Sequence, residues 1–100
     1  MGKPIQRLER HTKINNIWMY ILSLLNKKKL HAYTLNQEIK NTFKFKPSRI
    51  MIYLVLYKLE NEKLISSYLK DRRKYYKITP KGKNELKEAK KYLLKLSKTI

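Results

Sequence analysis

Residues 61–82 read NEKLISSYLKDRRKYYKITPKG, and the reading of this stretch decides the fold. Leu64-Ile65 opens one short strand, and Tyr75, Tyr76, Lys77 and Ile78 carry a second. Aromatic and β-branched residues of this kind suit a pleated, half-buried surface. Between the strands Lys70, Arg72, Arg73 and Lys74 crowd around a lone Asp71, and Lys70-Asp71-Arg72 suits a tight turn. Thr79 then caps a helix that has Pro80 at its first position. A two-stranded ribbon is marginally stable by itself in water. This cationic hairpin therefore has to pack on something, and the chain upstream supplies helices.

The strongest of them starts near Ile14. Ile14, Ile17, Trp18, Ile21, Leu22, Leu24 and Leu25 recur at three- and four-residue spacing and form a broad apolar face. Asn26 and the run Lys27-Lys28-Lys29 close it, the cations suiting the negative end of the helix. Leu30-His31-Ala32-Tyr33 is a connector or a minimal strand. The pattern then predicts a second helix capped by Thr34, with Gln37 as capping-box partner and Leu35, Ile39 and Phe43 facing inward. Pro47-Ser48 starts a third, from about Ser48 to Glu62. Its core IMIYLVLYKL has the composition of a buried strand, but length and the Ile52, Leu56, Leu59 spacing favour a helix.

After the hairpin, Leu86, Ala89, Leu93, Leu96 and Ile100 step by three, four, three and four along a lysine-rich helix. Helices that pair side by side carry such a seam. An amphipathic helix on an anionic membrane is the competing reading, and the narrow stripe favours dimerisation. The expected organisation is a basic arm or short helix over 1–13, a DNA-binding domain over 14–79 and a dimerisation helix over 80–100. The fold class is α+β, mainly helical: a winged helix-turn-helix with a two-stranded wing.

Charge narrows the partner. The chain has 100 residues, with 25 Lys+Arg against 7 Asp+Glu and a formal charge of +18. Repulsion at that density is relieved by a polyanion, and the small core of one such domain leaves room for stabilisation by a second subunit. The chain has no cysteine, so disulfides and thiolate metal sites are excluded. His11 and His31 lack partners at metal spacing, so no metal and no cofactor are expected. The seven carboxylates form no paired site, and no nucleophile–base set or phosphate loop appears, which argues against an enzyme. No segment reaches the about 18 apolar residues of a membrane span. The expected location is the cytoplasm, at the nucleoid.

From Ile17 to Leu96 the chain resembles the PadR-like winged-helix transcriptional regulators. Leu30-His31-Ala32-Tyr33 resembles the family's L-H-G-Y element, with alanine in place of glycine. The run from Pro47-Ser48 through Tyr53, Leu56, Leu59, Glu60, Leu64 and Ile65 is similar to its S-x-x-x-L-Y-x-x-L-x-x-L-E-x-x-G-L-I pattern. Arg72-Arg73-Lys74-Tyr75-Tyr76-Lys77-Ile78-Thr79-Pro80-Lys81-Gly82 is similar to its wing and exit, the most specific segment. Lys63 stands where the family has a helix-ending glycine, so this corner either strains or is built differently.

The resemblance implies a homodimer on double-stranded DNA, with the third helix in the major groove and the wing on backbone or minor groove. Arg49 is then the candidate for base readout, through two hydrogen bonds to guanine or, failing that, a phosphate contact. Lys46, Ser48, Tyr53 and Tyr57 join it along the helix, and Arg72, Arg73 and Lys74 are candidate phosphate contacts at the wing. Leu86, Ala89, Leu93 and Leu96 are the dimerisation candidates. Relatives that take flat ligands between aromatics make Trp18 and Tyr92 candidates for a small-molecule effector pocket. The expected function is sequence-specific regulation of transcription, with repression as the expected outcome. The alternative is an architectural protein that coats or bends DNA without choosing sequence. An RNA-binding winged helix is a weaker third reading, because single strands call for exposed stacking platforms.

Overall fold

Burial begins with the second helix. The computed structural model describes residues 3–100, and the side chains of Lys13 and Ile14, the latter expected on the apolar face, lie outside the described set. Helix α1 runs Pro4–Asn15 and α2 runs Ile17–Lys27, separated by a break at Asn16. Ile17, Met19, Ile21, Leu22, Leu24 and Leu25 of α2 are all buried, so this helix is the pillar on which the rest is laid. The basic N-terminal stretch is helical, started by Pro4 and by the Lys3 N–H donating to Gln6 Oε1 at 3.0 Å.

Strand β1 (Leu30–His31) leads directly into α3 (Ala32–Phe43). The helix cap is His31, three residues before the position expected from Thr34. Thr34 lies inside the first turn, its Oγ1 2.9 Å from His31 Nε2, because pairing of His31 with the sheet fixes where the chain can leave it. Leu35 and Ile39 are buried, and Phe43 stacks on Tyr20 of α2 with ring centroids 4.1 Å apart. Lys44 ends the helix in the left-handed region at φ 62.

Helix α4 (Arg49–Asn61) is the third helix of the sequence reading. Ser48 caps it, Oγ accepting the Met51 N–H at 3.1 Å, and Ile52, Leu56 and Leu59 face the core. Its far end forms a Schellman turn: Leu64 N–H donates to Leu59 O and Lys63 N–H to Glu60 O, both at 3.0 Å. Lys63 sits there at φ 66, so the corner keeps the glycine geometry without the glycine. Two side chains from beyond the hairpin cover the free carbonyls. Thr79 Oγ1 donates to Lys63 O at 2.7 Å, and Lys81 Nζ to Glu62 O at 3.0 Å.

The wing is β2 (Ile65–Lys70) and β3 (Arg73–Ile78), paired from Ile65↔Ile78 to Lys70↔Arg73. Its turn is tighter than Lys70-Asp71-Arg72, since Lys70 already pairs with Arg73. Asp71 and Arg72 alone make it, both with positive φ, 52 and 64, the signature of a type I′ hairpin turn. β1 adds to the other side of β3, Leu30↔Tyr76 and His31↔Tyr75, giving an antiparallel sheet ordered β1-β3-β2. One face, through Leu30, Ile65 and Tyr76, is buried against the helices. Burial pushes the Tyr76 phenol above its ordinary ionisation range, partly offset by nearby Lys74.

Thr79 caps α5 (Pro80–Thr99), its Oγ1 accepting the Gly82 N–H at 3.0 Å. Gly82 is required by proximity: a Cβ there would stand 2.1 Å from Leu64 O and 2.8 Å from Ile78 Cγ1. Leu86 is 4% exposed and belongs to the core of the chain, with Ala89 half-buried beside it. From Lys90 onward every residue of α5 is exposed. No described helix is long and apolar enough to cross a membrane.

Candidate nucleic-acid interface

Helix α4 has two apolar stripes. Ile52, Leu56 and Leu59 point inward, while Ile50, Leu54 and Tyr57, spaced four and three, point to solvent with Tyr53. Ile50 is 73% and Leu54 65% exposed, which for large aliphatic side chains on a helix with its back to the core marks a contact surface. Neither was among the expected site residues. The signal was the same 3.6-residue period read two positions out of phase.

Basic and polar groups frame this face. At its N-terminal end a groove between α3 and α4 is lined by Tyr33, Asn36, Gln37, Lys46, Ser48, Arg49 and Tyr53, among others. Asn36 Oδ1 is buried there without a hydrogen-bond partner. Lys46 and Arg49 are exposed, and the Ser48 oxygen, engaged as an acceptor in the cap, keeps its hydroxyl proton to donate. A second groove between α4 and the wing is lined by His31, Tyr33, Thr34, Tyr53, Arg73, Lys74 and Tyr76. Tyr53 borders both grooves, and no carboxylate lines either. Tyr57 stands clear on the outer stripe.

The three wing cations occupy different surroundings. Arg72 is in the turn and exposed. Arg73 Nη1 lies 3.5 Å from His31 Nε2, against an imidazole rather than a carboxylate. Lys74 points to the helix side of the sheet, where Nζ is 3.5 Å from Glu60 Oε1 of α4. Glu60 also accepts from Ser67 Oγ on β2, so this one carboxylate ties both wing strands to α4. The expected free phosphate contact at Lys74 is thus a tether between elements, one that two half-exposed partners make weak and easily exchanged.

The remaining candidates separate from this surface. Trp18 and Tyr92 come together in a groove between α2 and α5, lined also by Met19, Glu85, Glu88, Ala89 and Leu93. Of the expected seam, Leu86 faces inward, whereas Leu93 and Leu96 are 45% and 43% exposed. Tyr92 and Leu94 on α5, Ile100 just past its end, and Ile5 and Leu8 on α1 add exposed apolar surface. Among the described residues no group of His, Cys, Asp and Glu could hold a metal ion.

This architecture has close counterparts. Residues 21–88 match the model of the transcriptional regulator PadR-like family, from the heart of α2 to the first turns of α5. A PadR-like transcriptional regulator from Bacillus cereus is 32% identical, with 90% of this chain and 91% of that one aligned at a TM-score of 0.77. A PadR family transcription regulator from hypervirulent Clostridium difficile is 29% identical over 84% of this chain and 93% of that one, at a TM-score of 0.79. Bacillus subtilis PadR, solved in complex with operator DNA, is 28% identical over 71% of this chain and 44% of its own, at a TM-score of 0.63. The matched span contains α3, α4 and the whole wing, the elements that build both carboxylate-free grooves, and the chain is accordingly a member of the PadR-like family of transcriptional regulators, not an enzyme.

Proposed function

We propose that the protein acts as a homodimer on a particular, two-fold-symmetric double-stranded DNA site, and that occupancy of this site represses transcription. The observation that carries the reading is the uninterrupted surface of α4 with its two flanking grooves, which has donors and apolar side chains and no lining carboxylate. The outer stripe of α4 has the width to enter a major groove, where Arg49 can pair with guanine and Ile50 or Leu54 can meet thymine methyl groups. Arg72 and Arg73 then meet phosphates from the wing, and Lys46, Ser48 and Tyr53 do so beside the helix. That the Bacillus subtilis relative was solved in complex with operator DNA supports duplex DNA as the partner.

Dimerisation is assigned to the exposed half of α5, with Leu93 and Leu96 as its centre. Two subunits so joined present their α4 helices to successive major-groove faces, about one helical turn apart. The Trp18 and Tyr92 groove adjoins that interface, which suits a flat effector coupled to dimer geometry.

Titration on genomic fragments, including the region upstream of the protein's own gene, tests the reading against random duplex competitor at about physiological salt. A protected symmetric site that survives competitor is expected, with a preference of about 10³ or more over random DNA. Uniform, salt-sensitive binding would instead establish the architectural role that a charge of +18 also suits.

A further inference from the structure

The wing sheet has a second face, turned away from the helices. Side chains alternate across a strand, so the buried set Leu30, Ile65 and Tyr76 leaves His31, Ser66, Tyr68, Lys70, Arg73, Tyr75 and Lys77 on the outside. Three of these are rings in a row across the three strands. His31 meets Tyr75 edge to face at 5.4 Å between centroids, and Tyr75 lies nearly parallel to Tyr68 at 5.8 Å. Cations surround the row. Lys29 and Lys77 hold their ammonium groups 5.9 and 6.0 Å from the Tyr68 ring, and Arg73 stands against His31. None of the strand residues on this face is acidic; Asp71 sits beyond it, in the turn.

We propose that this outer sheet face is a second nucleic-acid site, one that binds single-stranded DNA by stacking about two or three bases on Tyr75 and Tyr68. Tyr68 and Tyr75 are half-buried side by side, and the part of each ring left to solvent accepts the face of a base, while surrounding lysines and arginine meet the phosphates. Duplex DNA does not fit the same chemistry, because its base faces are already stacked on one another and leave tyrosine rings nothing to cover. Lys29 and Lys77 lie over Tyr68 in the free protein and swing outward as phosphates arrive, uncovering the ring. Arg73 belongs both to this face and to the groove beside α4, so the two surfaces meet along the edge of β3. A strand unpaired next to a bound duplex can therefore pass from one to the other, which makes DNA the occupant.

The test is anisotropy on the full chain with a labelled oligothymidine of about a dozen nucleotides, beside a random duplex, at about physiological salt. Replacing Tyr68 and Tyr75 together by leucine is expected to weaken single-strand binding about tenfold or more while duplex affinity moves less than about twofold. The phenylalanine pair, which keeps the rings, is expected to retain wild-type binding. Equal loss on both ligands, or no loss on the single strand, overturns the site. A 2-aminopurine base in the oligonucleotide supplies a readout on the unmodified protein: quenching on binding is expected, and unquenched binding overturns the stacking. Tighter binding of an RNA oligomer of matching sequence by tenfold or more, lost in the leucine variant, would overturn the assignment to DNA. Duplex binding is read independently in every arm, so the proposal and the regulator reading fail separately.

Discussion

Lys63 shows how one side chain can work against the turn it occupies. Its backbone is left-handed at φ 66, closing α4 with both Schellman hydrogen bonds in place. A β-carbon in that region costs about 1–2 kcal/mol, and glycine removes this at some cost in unfolded-chain freedom. Lys63→Gly should therefore stabilise the fold by about 0.5–1 kcal/mol, read as a higher urea midpoint at unchanged slope. Arg49 and Arg72 differ in a way that binding can resolve. Arg49→Ala should relax sequence preference by about 1–3 kcal/mol at the base it reads. Arg72→Ala, at the wing tip, should weaken specific and random DNA alike and lower the salt slope by about one. Equal losses from Arg49→Ala on both DNAs would reassign it to phosphate.

The elements were legible to different degrees, for reasons that can be named. The apolar period made α2 plain, although the expected start at Ile14 falls in α1, and aromatic and β-branched residues marked the wing. Helix α4 looked like a strand because its solvent face is nearly as apolar as its core face; Ile50 and Leu54 filled the gaps that normally reveal a period. The start of α3 was misplaced because Thr34 is a good cap locally, whereas the sheet partner of His31 is distant in sequence. Grooves, and the tethering of Lys74 by Glu60, depend on elements meeting in space and leave no local trace. Gly82 is different again: the sequence marks it, but only the distance to the Leu64 carbonyl says why. Gly82→Ala drives a β-carbon into that backbone, so α5 must shift away from the start of β2. A loss of about 1–3 kcal/mol is expected, visible as a lowered melting temperature.

For the whole molecule, the question is what a chain of +18 would gain in the proposed homodimer. Apolar surface gives the answer. Leu93 and Leu96 are too exposed to contribute much to one subunit, yet they lie on the same stripe as the buried Leu86. Leu93→Glu should leave the winged-helix body folded and shift the protein to monomers in sedimentation, most strongly at low salt, where like charges already oppose pairing. An unchanged dimer would place the interface elsewhere, with Ile5 and Leu8 of α1 as the next candidates.

The exposed end of α5 has a kinetic consequence. An unsupported helix of about ten residues is marginal in water, since its ladder must be held by neighbours rather than by itself. Beyond Ala89 no residue of this helix is buried in its own chain, so its amide protons should exchange with solvent readily while a chain is alone. Once a partner lies along it, the same protons should be retained for as long as the pair survives. Deuterium uptake over residues 90–100 thus becomes a clock for subunit lifetime, separable from the slower exchange of the α2 core.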